Sequence, residues 1–185
     1  WRVVEYIWAA ISRDANRDAK NGINAISAHT CFDCADGGVN DVLCELLSLT
    51  ECRGVESCEC AVPMARIGKS RMLSPEMFAR MVAGKLQTTV RFVDGGKPIS
   101  TVAVCGGAGM SFIDDVIAAG ADAYVTGDIS HHEMLDAKEK GITVVAAGHF
   151  ETENPIVKTL FESLAGAVDA VEFFIVPQQS PTHFI

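Results

Sequence analysis

Apolar and polar positions follow two rhythms along this chain, and their order predicts a layered fold. Short apolar runs predict strands at Thr101 to Cys105, Ala123 to Thr126, Ile142 to Ala146 and Val171 to Val176. Between them, helical spacing runs over Ser111 to Ala119, onward from Ser130, and over Asn154 to Ala165. Strands alternating with helices in this way predict an α/β layered fold, a largely parallel sheet flanked by helices. The first half is less regular. Residues 1 to 22 read as a helix with a charged second half, stopped at Asn21-Gly22. Ile23 to His29 follows as a short strand, and Val39 to Leu49 sets Val42, Leu43, Leu46 and Leu47 on one helical face. Thr50 to Ser70 is irregular, with strand-like pieces near Ala61-Val62 and Arg66-Ile67. Ser74-Pro75 opens a helix that ends near Gly84-Lys85, and Thr88 to Val93 alternates like a strand. Ser130 and Glu133 make a capping box. The pattern divides into an N-terminal lobe over 1–98 and a C-terminal α/β lobe over 99–185.

Composition sharpens this picture. With 49% hydrophobic residues in 185, the chain can bury a good core, so disorder is excluded. No apolar run is long enough to span a bilayer, and no signal peptide opens the chain, so no membrane partner is expected. A net charge of -9 without a basic stripe argues against a nucleic-acid partner. Seven cysteines without a secretory signal predict a reducing, cytoplasmic setting. Cys31-x-x-Cys34 with Cys58-x-Cys60 is a weak zinc pattern, because the second pair has the wrong spacing; half-buried free thiols are the simpler reading. The chain opens at Trp1 in the middle of an amphipathic pattern, as a fragment would.

Candidate chemistry gathers where strands end. Ile142 to Ala146 runs into Gly148-His149-Phe150-Glu151-Thr152-Glu153, and Ala25 to Ala28 runs into His29 with Asp33 close behind. Imidazole and carboxylate at the mouth of a sheet suit a hard or borderline divalent metal, so Asp33, His149 and Glu153 are the expected ligands. The plainer reading of Glu151 and Glu153 is charge that complements a helix N-terminus, and of Asp33 a turn cap, which Asp36 is nearer to supply. Gly106-Gly107-Ala108-Gly109 follows a strand but lacks the spacing of a nucleotide loop. His131 and His132 point about a hundred degrees apart on a helix and are a poor joint ligand. His132, with Asp128 before the helix, is instead a candidate acid–base or substrate-positioning group, and His183 reads as solvated.

Taken together, these stretches resemble the Nif-three-like family, catalogued as GTP cyclohydrolase I type 2 homologues. The resemblance rests on Ala28 to Asp33, Gly37-Gly38-Val39-Asn40-Asp41, Val102 to Gly109, Thr126 to His132 and Gly148 to Glu153, all in the family's order. It implies two interlocking lobes that bind two divalent metals, assembled as ring-like homohexamers. It carries ligand roles to Asp33, His149 and Glu153. The family's pair of consecutive histidines after an early strand matches nothing here and is expected before Trp1. Cys31 and Phe32 stand where the family usually has asparagine and leucine, and Cys31 would add a soft donor beside the site. The run from Ile67 to Ser100 leaves no room for the domain some members insert.

Two function classes follow. In the first, a metal-dependent hydrolase activates water against a nucleotide or phosphoester, with His132, Asp128 or His29 shuttling a proton. The metal would be zinc, iron, manganese, nickel or magnesium. In the second, a non-catalytic adaptor uses its metals to hold the lobes while its surface binds protein partners. A nucleotide-phosphate binder built on Gly106 to Gly109 ranks last.

Overall fold

The computed structural model describes residues 3–5, 24–57 and 61–182. Two short strands come first, β1 (Val3–Glu5) and β2 (Asn24–Ile26), paired in parallel. The expected helix over 1–22 is thereby corrected at its start, where Val3–Glu5 lies in a ladder. The rest of that helix lies outside the described residues, as do Cys58, Cys60 and His183. β2 is also shorter than expected, because His29 opens a helix, α1 (His29–Cys34), with Phe32 N–H donating to Ala28 O.

Next come α2 (Val39–Leu46), then an antiparallel pair, β3 (Thr50–Gly54) and β4 (Arg66–Leu73), in the stretch expected to be irregular. α3 (Pro75–Leu86) starts as expected, with the Ser74 hydroxyl accepting from Met77 N–H. β5 (Arg91–Val93) and β6 (Ile99–Cys105) follow; a 3₁₀ turn, Met110–Phe112, then leads into α4 (Ile113–Ala118). β7 (Ala123–Thr126), α5 (His131–Glu139) and β8 (Thr143–Ala146) keep the predicted places, and α5 carries the Ser130–Glu133 capping box. The last predicted helix, Asn154 to Ala165, is α7 (Ile156–Ala167), and the loop expected before it is itself a short helix, α6 (His149–Glu153), parted from α7 at Asn154-Pro155. Proline has no N–H to continue a helix, so the ladder restarts behind it.

The main sheet has six strands in the order β3-β4-β6-β7-β8-β5. Pairing is parallel at its centre, β6 with β7 and β7 with β8, and antiparallel at both flanks. Alternate residues of β6 feed opposite cores. Val102 and Val104 face α2 and α3 with Leu43, Leu47, Phe78 and Val82; Ala103 and Cys105 face α4 and α5 with Ile113, Val116 and Ala137. This is the α/β layering the pattern predicts.

Residues 171–176, expected to close the sheet, pair with no strand among the described residues, and Phe174 is 74% exposed. Apolar alternation favours extended chain, but a strand needs an edge to bond to.

One consequence places the site. Cys105, Thr126 and Ala146 stand side by side at the carboxyl ends of β6, β7 and β8. In open α/β sheets, ligands collect beyond such ends.

Candidate metal centre

Three loops leave that end of the sheet and are tied together by backbone bonds. Gly127 and Asp128 N–H both donate to Gly107 O, at 2.8 and 3.0 Å, and Gly148 N–H donates to Gly127 O at 3.1 Å. Buried Thr126 clamps the first loop: its hydroxyl donates to Gly107 O at 3.1 Å and accepts from Gly109 N–H at 3.0 Å. Tyr124 adds its phenol, donating to Gly109 O at 2.6 Å. Thr152 of α6 completes the clamp, accepting from Gly107 N–H at 3.0 Å while its own hydroxyl faces Gly148 O and His149 O. These side chains tie α6 to the glycine loop.

α6 presents His149 and Glu153 four residues apart, hence on one face. His149 Nε2 lies 3.1 Å from Glu153 Oε1, and His149 Nδ1 lies 2.5 Å from Asp128 Oδ2. Gly107, at φ 64°, sits directly beneath; a Cβ there would collide with Glu153 Oε1 and approach His149 Nε2 to 2.9 Å. Glycine is therefore required twice over, for its backbone angle and for its missing side chain.

Asp33 arrives from the other half of the chain on α1. Half-buried, its carboxyl is raised above the ordinary range by burial, opposed by the charges of His29 and His149. Behind the loop, the Cys105 thiol is pushed up to about 12, first by burial, with the nearby Tyr124 hydroxyl opposing and Asp33 and Glu153 adding. Asp33 and Glu153 thus both bear on Cys105, and His149 bears on Asp33. His149 and Glu153 are in direct contact, and Asp33 is linked to His149 electrostatically.

A buried Asn40 holds the two halves in register. Its Nδ2 donates to Asp33 O at 3.0 Å and Met64 O at 2.7 Å, and its Oδ1 accepts from Gly106 N–H at 2.8 Å. Next to it, Asp41 takes Arg66 Nε at 2.6 Å and Gly37 N–H at 2.7 Å, and Arg66 Nη2 caps α1 at Cys34 O and Ala35 O. The Gly37 to Asp41 motif, read from sequence as a tight turn, is the joint between α1 and the glycine loop. Its signal was a polar residue, Asn40, among the apolar positions that start α2.

The acid–base candidates divide. His29, the first residue of α1, is exposed, with Nδ1 2.8 Å from Thr30 Oγ1, and its charge acts on Asp33. Asp128 is engaged with His149. His132 is exposed on α5, its ring edge-on to His131 with centroids 6.2 Å apart. Cys31 is exposed, and the Cys34 thiol donates to Thr30 O at 3.2 Å within its own helix.

Chemically, the His149–Glu153 pair carries the most information. A neutral imidazole has one N–H. In the tautomer with that proton on Nδ1 toward Asp128, the lone pair of Nε2 faces a carboxylate oxygen at 3.1 Å. Two lone pairs so close require a cation, either a proton or a metal ion. Nitrogen and oxygen donors over a steric cradle fit a divalent ion. They are a partial set: among the described residues, no group of three or more His, Cys, Asp or Glu side chains is arranged to hold a metal by itself.

The model of the Duf34/NIF3 (NGG1p interacting factor 3) family matches residues 10–181. The chain belongs to that family. Among its NIF3 relatives, a GTP cyclohydrolase 1 type 2 homolog of Clostridium perfringens is 31% identical over 172 residues, covering 89% of this chain and 65% of that protein. The protein NIF3 homolog of Schizosaccharomyces pombe is 33% identical, covering 76% of this chain and 54% of its own length. The solved structure of protein ybgI, whose function is described as unknown, superposes with a TM-score of 0.79 at 28% identity, over 96% of this chain and 76% of that one. This NIF3 chain thus spans between about half and two thirds of the length of those curated relatives.

Proposed function

We propose that this chain is the metal-bearing part of a metal-dependent hydrolase, with Asp33, His149 and Glu153 as ligands toward a centre of two divalent ions. The observation that carries the reading is the pairing of His149 Nε2 with Glu153 Oε1 at 3.1 Å while Nδ1 is taken by Asp128. Zinc, iron, manganese, nickel and magnesium all accept such donors. Bound there, divalent ions supply Lewis-acid activation of water and of an electrophilic phosphorus or ring carbon.

The chain's own residues do the rest. Asp128 orients the His149 ring, Glu153 and Asp33 set negative charge around the centre, and His29 stands beside Asp33 where it can take or return a proton. Part of the donor set comes from outside the described residues. Of the proposed substrates, a nucleotide or phosphoester, the nucleotide is supported by the name of the Clostridium relative, GTP cyclohydrolase 1 type 2 homolog. A chain of net charge -9 repels such an anion unless cations neutralise the centre, which agrees with the metal reading. Assembly as a homohexamer in the cytoplasm belongs to the same proposal.

The test is a titration of the protein with Zn²⁺ and Mn²⁺, read by calorimetry and elemental analysis, beside a panel of nucleotides and phosphoesters. Saturable binding lost in Glu153→Gln, with metal-dependent turnover lost in the same variant, is the expected outcome. Binding unaffected by Glu153→Gln refutes the ligand assignment; metal binding with no turnover on the panel refutes the hydrolase and leaves an adaptor.

A further inference from the structure

α1 carries Asp33, yet the helix has little of its own to fix it in place. It is six residues long, none of them buried, and no side chain caps its first turn. Half-buried Phe32 packs against Val39, Val42 and Ile156. The firm hold is at the other end. The last carbonyls of a helix have no partner within it, and here side chains from outside α1 meet them. Asp33 O accepts from Asn40 Nδ2 at 3.0 Å, and Cys34 O and Ala35 O accept from Arg66 Nη2 at 3.1 and 3.3 Å.

Arg66 is itself fixed. It is 6% exposed, and its other nitrogens are engaged: Nε donates to Asp41 Oδ1 at 2.6 Å and Nη1 to Pro63 O at 2.9 Å. Its backbone belongs to β4, opposite Val104 of β6, two residues before Gly106. Gly106 N–H donates to the same Asn40 side chain that holds Asp33 O. Sheet, glycine loop and α1 thus form one bonded circuit, and Arg66 closes it.

We infer that Arg66 is a positioning residue for the metal ligand Asp33: it fixes where α1, and with it the Asp33 carboxyl, stands relative to the His149–Glu153 pair. The inference rests on the proposed metal centre and goes beyond it, since Arg66 acts only through backbone carbonyls of α1. Lysine is no substitute. Its single ammonium can pair with Asp41 but cannot also span Pro63 O, Cys34 O and Ala35 O, as a planar fork does.

The test titrates parent, Arg66→Lys, Asp33→Asn and the double variant with Co²⁺, read by calorimetry and by the visible absorption of the bound ion, with unfolding midpoints to confirm that each is folded. Asp41→Asn, which removes the charge facing the guanidinium, is the milder second variant should Arg66→Lys not fold. Arg66→Lys should weaken Co²⁺ binding about 10- to 100-fold and alter the absorption band. In the Asp33→Asn background it should cost nothing further, because a residue that acts through Asp33 has no effect once that ligand is gone. A loss that adds in full to that of Asp33→Asn would assign Arg66 to general stability and overturn the inference. Parent-like binding and spectrum in Arg66→Lys, with the ion still lost in Glu153→Gln, would overturn this inference alone. A parent that binds no Co²⁺, or Asp33→Asn with unchanged affinity, would overturn the ligand assignment and this inference with it.

Discussion

Asn40 joins partners 7, 24 and 66 residues away in sequence, and it does so from a fully buried position. Asn40→Leu keeps the volume but strips Asp33 O, Met64 O and Gly106 N–H of their partner. Unsatisfied buried polar groups are expensive, so unfolding by denaturant should show a loss of about 3 kcal/mol. Asp128 makes the opposite case. Its side chain is 58% exposed, so Asp128→Asn should leave the unfolding midpoint nearly unchanged. Metal affinity, measured by calorimetry, should fall about 10- to 100-fold, because the ring it orients loses its fixed tautomer. Equal affinity would show that Asp128 only caps the loop. The sequence pointed to His149, Glu153 and Asp33 by residue type, since imidazole and carboxylate at a strand's end are conspicuous. It gave little warning of Asn40 and Thr152, because their partners are backbone groups that any residue could supply.

β6 and β7 are pinned at their starts by Asp122, which accepts from Ser100 N–H and Oγ–H at 3.0 Å each and from Thr101 N–H at 2.9 Å, with Lys97 at 3.6 Å. Burial pushes this carboxyl up, but the hydrogen bonds and Lys97 outweigh it and hold it below its ordinary 3.8. A carboxyl lowered on folding stabilises fully above its unfolded value and loses that contribution as pH falls through the lower folded value. Parent and Asp122→Asn should therefore differ in denaturant stability at about pH 5 and converge toward about pH 2. A constant difference over that range would assign the effect to packing. The elements here were legible where local chemistry was decisive: the Ser74-Pro75 start, the Ser130 capping box and the apolar runs of β6 to β8. Residues 171–176 show the limit, since their alternation matches a strand and no edge receives them. Residues 1–22 show it too, because helical spacing there did not foretell a ladder between Val3–Glu5 and Asn24–Ile26.

The ligand candidates come from opposite halves of the molecule, Asp33 on α1 and His149 with Glu153 on α6, so an ion held among them would tie those halves together. Adding Zn²⁺ or Mn²⁺ should then raise the thermal midpoint in a concentration-dependent way, by about 2.7 kcal/mol of stability at a hundred times the dissociation constant, and a chelator should reverse it. A midpoint indifferent to both would count against a shared ion. Periodicity alone specified the α/β layering and the strand–loop–helix units that carry Gly106, Asp128 and His149, because burial rhythm and caps act within a few residues. The sheet order β3-β4-β6-β7-β8-β5, the approach of Asp33 to His149, and the role of Asp128 as partner to Nδ1 were settled by packing. Such contacts join residues tens of positions apart, through backbone groups and sheet edges whose identity no local pattern encodes.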